Sequence, residues 1–163
     1  MISAVVPRIE GRLMVALQHG LVFFDPATGK RTPYAAPEHH LLANRSNEAR
    51  VDPMGRLWLG TMPNTTGPNG EDLPCTASVG GLHRIDADGR HIQMVSGVGI
   101  ANTLCWDEVR RRMYFRDSVD GSIRVWDWNK FSGAPANPRI IAERTHHGVP
   151  DGSALEAAGY VWN

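Results

Sequence analysis

The sequence predicts an all-β protein built from propeller-type blades. The first observation is a repeated unit, in which a turn and an arginine precede an apolar strand, a polar turn and a second strand. Aligned on Arg12, Arg56, Arg112 and Tyr160, the copies start 44, 56 and 48 residues apart. Short strands that recur with a period of about 40 to 50 residues are typical of four-stranded propeller blades. The second observation is that helical periodicity, with apolar residues at i, i+3, i+4 and i+7, is almost absent.

The predicted blades follow one another along the chain. The third observation is that strand-forming residues are concentrated where the repeat requires strands, in LMVAL, LVFF, LWLG, MYF, IRVW and YVW. We assign residues 1–43, 44–97 and 98–147 to three blades, and residues 148–163 to the start of a further blade. An insert rich in Pro and Gly at residues 63–81 lengthens the second blade. The pattern leaves open a β-sandwich whose self-similarity is accidental.

Composition and charge indicate one soluble domain. The 163 residues are 42% hydrophobic and 21% charged, as in an ordinary globular protein. Basic and acidic residues balance at 17 each and the arginines are scattered, so we expect no nucleic-acid partner. Cys75 and Cys105 have neither a disulfide-framework nor a metal-site spacing. No apolar run approaches the roughly 18 residues that span a bilayer, and the start lacks a secretory pattern, so we expect no membrane partner and a cytoplasmic location.

Polar residues are expected to collect around a central channel, which the innermost strand of each blade lines. These strands are predicted at residues 3–6, 46–51, 101–106 and 150–155. Three of the four carry oxygen or amide groups near their start: Asn47 and Glu48, then Asn102, then Asp151. Because buried polar groups need partners, the sequence predicts a shared axial cavity that holds a cation or a polar ligand.

Three segments carry a resemblance to a known family. RSNEARVDPMGRLWLGTM (45–62) resembles the R-x-N-D-G-K-x-D-P-x-G-R-x-W-x-G-T-M signature of the gluconolactonase, regucalcin and senescence-marker-protein family. ANTLCWDEVRRRMYFRDS (101–118) resembles its S-N-G-L-x-W-S-x-D-x-x-x-x-Y-x-x-D-S segment. GVPDGSALEAAGYVWN (148–163) resembles its G-x-P-D-G-x-x-x-D-x-x-G-x-x-W segment. The three occur in the family's order and at about its spacing, so the resemblance extends over nearly the whole chain.

The resemblance implies a six-bladed propeller that holds one divalent cation in its channel and hydrolyses sugar lactones. In the family, a glutamate near the chain start and the asparagine and aspartate of these segments hold the metal, and here Asn102 and Asp151 match the second and third ligands. Ca²⁺ is the expected cation, with Zn²⁺, Mn²⁺ or Mg²⁺ as alternatives. Carboxylate and amide oxygens suit hard cations such as Ca²⁺, Mn²⁺ and Mg²⁺.

The resemblance also implies roles in binding and catalysis. Arg45 and Asn47 match the family's R-x-N pair, which is implied to contact the oxygens of a small sugar lactone. Asn47 would lie near enough to the metal to serve as an outer ligand. Asp151 is the implied catalytic residue, which orients or deprotonates the attacking water.

The chain departs from the family pattern in sequence and in length. Glu48 stands where the family has aspartate, and Ala49 and Thr103 stand where it has glycine. Because such glycines often allow positive φ or close backbone approach, Ala49 and Thr103 are expected to crowd or tilt the channel wall. Six blades of about 40 to 50 residues need nearly twice this length, so we expect an incomplete ring of about three to three and a half blades. Glu10 lies in a turn and does not supply the family's first glutamate.

Each candidate also has a purely structural alternative. Asp151 fits a Pro-Asp-Gly turn, Asn102 a strand edge and Arg45 a solvated loop, although the family context favours the site. Asp117 is interpreted as a residue that braces its blade by hydrogen bonding. Aspartates that recur at strand ends are interpreted as turn residues: Asp52, Asp86 and Asp127.

Two pairs of adjacent histidines suggest zinc, but neither pair fits a single ion. They are His39 with His40 and His146 with His147. Adjacent residues on a strand point to opposite faces, so one pair cannot chelate one ion through both rings. We interpret both pairs as parts of solvated loops.

Two classes of function remain open. One is a divalent-metal-dependent hydrolase of sugar lactones or related esters, inactive if the chain is truncated. The other is a non-catalytic incomplete propeller that acts as a cation-binding or protein-interaction module. An incomplete ring also predicts self-association through its open blade faces, with the apolar side chains of LMVAL (13–17) and YVW (160–162) facing water.

Overall fold

The computed structural model describes residues 1–143 and 151–163, and the described residues form an all-β fold. Three four-stranded antiparallel sheets follow one another along the chain, and a two-stranded sheet comes last. The strands are β1 (Ile2–Pro7), β2 (Leu13–Leu17), β3 (Gly20–Phe24), β4 (Arg31–Ala35), β5 (Asn44–Val51), β6 (Leu57–Pro63), β7 (Gly80–Ile85), β8 (His91–Val98), β9 (Ala101–Asp107), β10 (Arg112–Asp117), β11 (Ile123–Trp128), β12 (Pro135–Ala142), β13 (Ala154–Leu155) and β14 (Val161–Trp162). A short 3₁₀ turn at Ile9–Gly11 joins the first two strands.

The first strands of successive sheets lie side by side. β1 contacts β5, β5 contacts β9, and β9 contacts β13, while the other strands of each sheet follow outward in chain order. This is the arrangement of propeller blades around an inner wall, so the predicted all-β, propeller-type fold is confirmed, as an open array in the described residues. The six-blade ring stays a prediction. So do the predicted blade limits, of which the one after residue 147 lies outside the described residues.

Three apolar layers fill the spaces between the four sheets. Alternate strand residues point to opposite faces, so the second sheet sends Leu57 and Leu59 toward the first sheet and Trp58 toward the third. The layer between the second and third sheets is the largest: Trp58, Leu82, Val98, Ala101, Leu104, Trp106, Met113, Phe115 and Trp128. Burying these side chains between the two sheets holds the sheets, and with them their inner strands, side by side.

Asp52 organises the turn between β5 and β6. Its buried carboxylate accepts hydrogen bonds from the backbone N–H groups of Met54 and Arg56 at 2.9 and 3.1 Å. It also accepts bonds from Arg56 Nε at 2.7 Å and from Trp58 Nε1 at 3.0 Å. The turn role predicted for Asp52 is therefore confirmed, and the same carboxylate anchors the first residues of β6.

Asp117 braces the third sheet, as the sequence predicts. Its buried carboxylate accepts bonds from the N–H groups of Gly99 and Ile100 at 2.7 and 2.9 Å, and from Val119 at 3.0 Å. These bonds hold the loop that leads into β9, the inner strand that carries Asn102.

Two sequence predictions about inner and outer strands are wrong in part. Residues 150–155 do not form one inner strand, because only Ala154–Leu155 pairs, with Val161–Trp162, and Pro150 lies outside the described residues. The LMVAL strand does not face water as a whole. Ala16 is buried against the second sheet, and Val15 is also buried although it lies on the opposite face of β2, beside Val5.

Apolar side chains are nevertheless exposed at both ends of the array. On the first sheet Ile2 and Val5 are 63% and 51% exposed, and on the last sheet Tyr160 and Trp162 are 68% and 65% exposed. In a propeller such faces pack against the next blade.

Within residues 1–143 and 151–163 no helix has the length and apolar character to cross a membrane, and the cytoplasmic location stays a prediction.

We expect Asp52→Ala to lower the free energy of unfolding by roughly 3–5 kcal/mol. The substitution leaves buried donors of Arg56 and Trp58 without the charged acceptor that they share in the native protein. Urea denaturation monitored by tryptophan fluorescence measures the change. The control is Asp88→Ala in the turn before β8, where the carboxylate binds Arg90 in full exposure and should leave the midpoint nearly unchanged. Equal midpoints for the two variants would contradict the role of Asp52.

We expect the 163-residue chain to self-associate through the open face of the first sheet. Each apolar side chain that becomes buried contributes about 1.5–3 kcal/mol, and Ile2 and Val5 lie together on this face. The double variant Ile2→Lys with Val5→Lys should shift the population toward monomer in sedimentation velocity. Val109→Lys, in a turn where the side chain is 91% exposed, is the matched control and should have no effect. A monomeric wild-type chain at micromolar concentration would refute the expectation.

Candidate active site

A β-bulge on β5 sets the position of Asn47. Ser46 pairs with Thr61 and Glu48 pairs with Gly60, so Asn47 is the extra residue between them. A bulge re-aims the side chains of its strand, and here Asn47 Nδ2 donates a hydrogen bond of 3.0 Å to the Ala101 carbonyl of β9. Two inner strands from neighbouring sheets are thereby joined at the channel wall.

Asn102 lies beside Asn47 on the neighbouring inner strand. Its side chain is buried, and its Nδ2 donates a bond of 2.9 Å to Ser118 Oγ. With the nitrogen held there, Asn102 Oδ1 lies 3.5 Å from Asn47 Nδ2, at the limit of a hydrogen bond. The structure thus brings these two predicted site residues together.

Arg45 completes a chain of contacts along β5. Its Nη1 donates a bond of 2.8 Å to Asn47 Oδ1 and one of 3.1 Å to the Ser46 carbonyl. Burial lowers the pKa of the Arg45 guanidinium, which still remains a cation at neutral pH. Its Nε is buried and has no hydrogen-bond partner among the described residues, so one N–H is left for another acceptor.

Asp151 approaches the same region through its backbone. Its carbonyl oxygen accepts a bond of 2.9 Å from Thr103 Oγ1, the residue that follows Asn102. Asp151 is exposed and precedes the short strand β13. The prediction that it lies on an inner strand is therefore wrong. We still predict that the side-chain oxygens of Asp151 and Asn102 lie within about 5 Å of each other, as ligands of one shared cation must.

Glu48 adds a second carboxylate to this part of the wall. Burial raises the pKa of Glu48, and the negative charge of Asp151 raises it further, while the positive charge of Arg50 acts in the opposite direction. Arg50 also donates a bond of 3.0 Å to the Ser153 carbonyl. The last described segment is therefore connected to β5 by hydrogen bonding and by charge.

Thr103 has the kind of backbone conformation that the family's glycine allows, while the expected crowding or tilting of the channel wall stays a prediction. Its φ is 51°, in the left-handed region that glycine adopts freely and that β-branched residues rarely adopt. The strand pairing is irregular at the same place, because Leu104 pairs with Phe115 while Asn102 pairs with Arg116. Ala49, the other residue at a family glycine position, pairs regularly with Leu59 and has no positive φ.

Glu38 is a buried acid that the sequence analysis missed. Its carboxylate accepts bonds from Asn44 Nδ2 and Thr61 Oγ1 at 2.9 Å each, and it lies 3.0 Å from His83 Nε2. Burial alone raises the pKa of Glu38, but the hydrogen bonds from His83, Asn44 and Thr61 outweigh it and lower the pKa. Glu38 and His83 are 45 residues apart in the sequence, so no local motif predicts their contact.

The candidate ligand groups suit a hard cation better than zinc. The groups are two carboxylates and two amides, which offer oxygen atoms, from Glu48, Asp151, Asn47 and Asn102. Oxygen donors favour Ca²⁺, Mg²⁺ or Mn²⁺, while zinc prefers histidine and cysteine. Within the part of the chain that the structure describes, no group of three or more His, Cys, Asp or Glu side chains is arranged to hold a metal. His39 and His40 are exposed in a loop, as expected, and His146 and His147 lie outside the described residues.

Comparison with curated proteins identifies lactonases as relatives. The chain is 31% identical to 6-deoxy-6-sulfogluconolactonase of Pseudomonas putida over 163 residues, which cover 96% of this chain and 51% of that protein. It is 31% identical to pentonolactonase of Haloferax volcanii over 120 residues, which cover 73% of this chain and 38% of that protein. The chain therefore spans about half the length, or less, of these relatives.

A solved structure and a family match agree with these relatives. The calcium-binding protein regucalcin of Agrobacterium tumefaciens superposes with a TM-score of 0.87 at 27% identity, over 100% of this chain and 52% of that one. Residues 1–163 match the family described as the SMP-30/Gluconolactonase/LRE-like region. The match over the whole chain, together with the propeller-type sheets and the Arg45, Asn47 and Asn102 cluster, leads to one conclusion: the chain belongs to the SMP-30/gluconolactonase/LRE-like family.

Proposed function

We propose that this chain carries part of the active site of a divalent-metal-dependent hydrolase of sugar lactones. The observation that carries the proposal is the contact chain from Arg45 through Asn47 to Asn102, which joins two inner strands at the channel wall. The relatives named as lactonases support the reaction class, and the regucalcin named as calcium-binding supports the cation.

The metal ligands in this proposal are Asn102 and Asp151, with Ca²⁺ as the first choice and Mn²⁺, Mg²⁺ or Zn²⁺ as alternatives. The donor set fits, because Asn102 Nδ2 donates to Ser118, and Asn102 Oδ1 has only the long contact of 3.5 Å with Asn47 Nδ2, so an oxygen lone pair remains for a cation. When bound, such a cation supplies Lewis-acid polarisation of a lactone carbonyl. Further ligands are expected from the remainder of a complete propeller, since Ca²⁺ takes six to eight oxygen ligands.

The chain's own residues orient the substrate and handle the proton. In this proposal Arg45 donates to a lactone oxygen, which is supported by its buried Nε, since this group has no hydrogen-bond partner in the described part of the chain. Asn47, held by Arg45 and by the Ala101 carbonyl, presents a fixed amide to the same ligand. The Asp151 carboxylate orients the attacking water and accepts its proton as the ring ester opens.

A second function is favoured by the exposed apolar faces. The array is open, and its exposed side chains include Ile2, Tyr160 and Trp162. Such a surface suits a cation-binding or protein-interaction module that is completed by other chain segments. The two functions differ in whether a sugar lactone is turned over when metal is present.

We expect Asp151→Asn and Asn102→Ala each to weaken Mn²⁺ binding by at least about tenfold. Each removes a proposed oxygen ligand, and even indirect partners of metal ligands commonly change affinity by 10- to 100-fold. Electron paramagnetic resonance of free Mn²⁺ measures the binding, and Asp88→Asn, in an exposed turn of an outer hairpin, is the control. Unchanged affinity in both site variants would exclude them as ligands.

We expect Asp151→Asn to reduce lactone hydrolysis far more than Arg45→Lys. The first substitution removes both a ligand charge and the proposed base, which contributes about 10²- to 10⁴-fold. The second keeps the positive charge and loses only the ability of the guanidinium to donate two parallel hydrogen bonds. A pH-indicator assay with gluconolactone and added Ca²⁺ measures the rates, and mild, equal losses in both variants would contradict the assigned roles.

A further inference from the structure

Thr103 has a backbone conformation that its side chain disfavours. It is fully buried, lies between Asn102 and Leu104 on β9, and has a φ of 51°. Glycine reaches this region without a steric penalty, and glycine is the residue of the family pattern at this position. A β-branched residue that persists in such a conformation is held there by its surroundings, and such outliers cluster at functional sites.

The surroundings that hold Thr103 are the residues around Asp151. Thr103 Oγ1 donates a bond of 2.9 Å to the Asp151 carbonyl. The same oxygen accepts bonds of 2.8 Å from Ser153 Oγ and 2.7 Å from Asn163 Nδ2. A hydroxyl group has one donor and two acceptor sites, so every hydrogen-bonding site of Thr103 is used.

These contacts connect the backbones of two proposed metal ligands. Asn102 precedes Thr103 in the chain, and Asp151 is bonded to the Thr103 side chain, so a single residue joins the backbones that carry both ligands. Asn163 Nδ2 also donates to the Asp151 carbonyl, at 2.6 Å, so this carbonyl accepts two bonds. With glycine at this position, the backbone could turn in the same way, but the bond from the Thr103 hydroxyl to the Asp151 carbonyl would be lost.

We propose that Thr103 is a positioning residue, whose hydroxyl fixes the Asp151 backbone relative to Asn102 and thereby sets up the cation site. This inference rests on the proposed function for its metal, and on the geometry of Thr103 alone for its effect on Asp151. Thr103 itself need not touch the cation.

Three variants separate the hydroxyl from the backbone strain. Thr103→Ser keeps the hydroxyl, Thr103→Val keeps the branched shape without it, and Thr103→Gly removes both the hydroxyl and the strain. We expect Thr103→Val and Thr103→Gly to weaken Mn²⁺ binding roughly 10- to 100-fold, as loss of a supporting partner does, while Thr103→Ser stays within a few-fold of wild type. Thr103→Gly should bind Mn²⁺ weakly although its melting temperature stays close to that of the wild type, because relief of the unfavourable φ offsets the loss of the hydroxyl's hydrogen bonds.

Hydrogen–deuterium exchange of residues 151–155 supplies a readout that needs no metal. We expect faster exchange there in Thr103→Val and Thr103→Gly, wild-type exchange in Thr103→Ser, and no change in β6 (Leu57–Pro63) for any variant. Equal exchange in all four proteins overturns the inference, and so does unchanged Mn²⁺ binding in Thr103→Val and Thr103→Gly when the wild type binds. If the wild type binds no Mn²⁺, the proposed cation site is wrong, and the exchange data alone decide whether Thr103 holds Asp151.

Discussion

The close approach of β6 to β9 is the constraint on which the site depends. A Cβ atom added at Gly60 would lie 2.5 Å from the Ala101 Cβ, so only glycine fits opposite this alanine. The contact lets the second and third sheets pack closely enough for Trp58 and Trp106 to meet, with ring centroids 5.6 Å apart. The same approach brings Asn47 within hydrogen-bonding distance of the Ala101 carbonyl. Core packing and the assembly of the polar wall are thus consequences of one small residue.

Departures from regular strand geometry give the inner wall its polar surface. A regular strand sends alternate side chains to opposite faces, and the apolar layers use both faces of the sheets. The irregular pairing at Asn47 on β5 and at Thr103 on β9 releases side chains from this alternation. Both irregularities lie on first strands, next to residues that contact each other across the sheets. Polar groups can therefore meet at the channel while the neighbouring residues remain in the core.

The fold was predictable from sequence because its determinants are local. The repeated unit of turn, arginine and strand fits within a short window of sequence. The hydrogen bonds of the Asp52 carboxylate lie within the segment DPMGRLW, so the residues that form the sequence pattern are also the residues in contact. The positions of Asn47 and Asn102 followed from the same repeat. The bonds that orient the site are different, since Glu38 meets His83 across 45 residues and Thr103 meets Asp151 across 48. No periodicity in the sequence predicts contacts between residues that lie so far apart in the chain. The sequence also could not show that the inner strand expected at 150–155 is only two residues long, because pairing there depends on the sheet beside it.

The energetics of Thr103 make the last sheet part of the site. A left-handed conformation of a residue other than glycine costs roughly 1–3 kcal/mol. Three hydrogen bonds that each contribute about 0.5–1.5 kcal/mol offset a cost of this size, but only while residues 151–163 are docked. When that segment leaves, the strain at Thr103 is uncompensated, and the backbone just after Asn102 is free to relax. The orientation of Asn102 and the docking of Asp151 therefore form together, so a ligand that bridges them stabilises both at once.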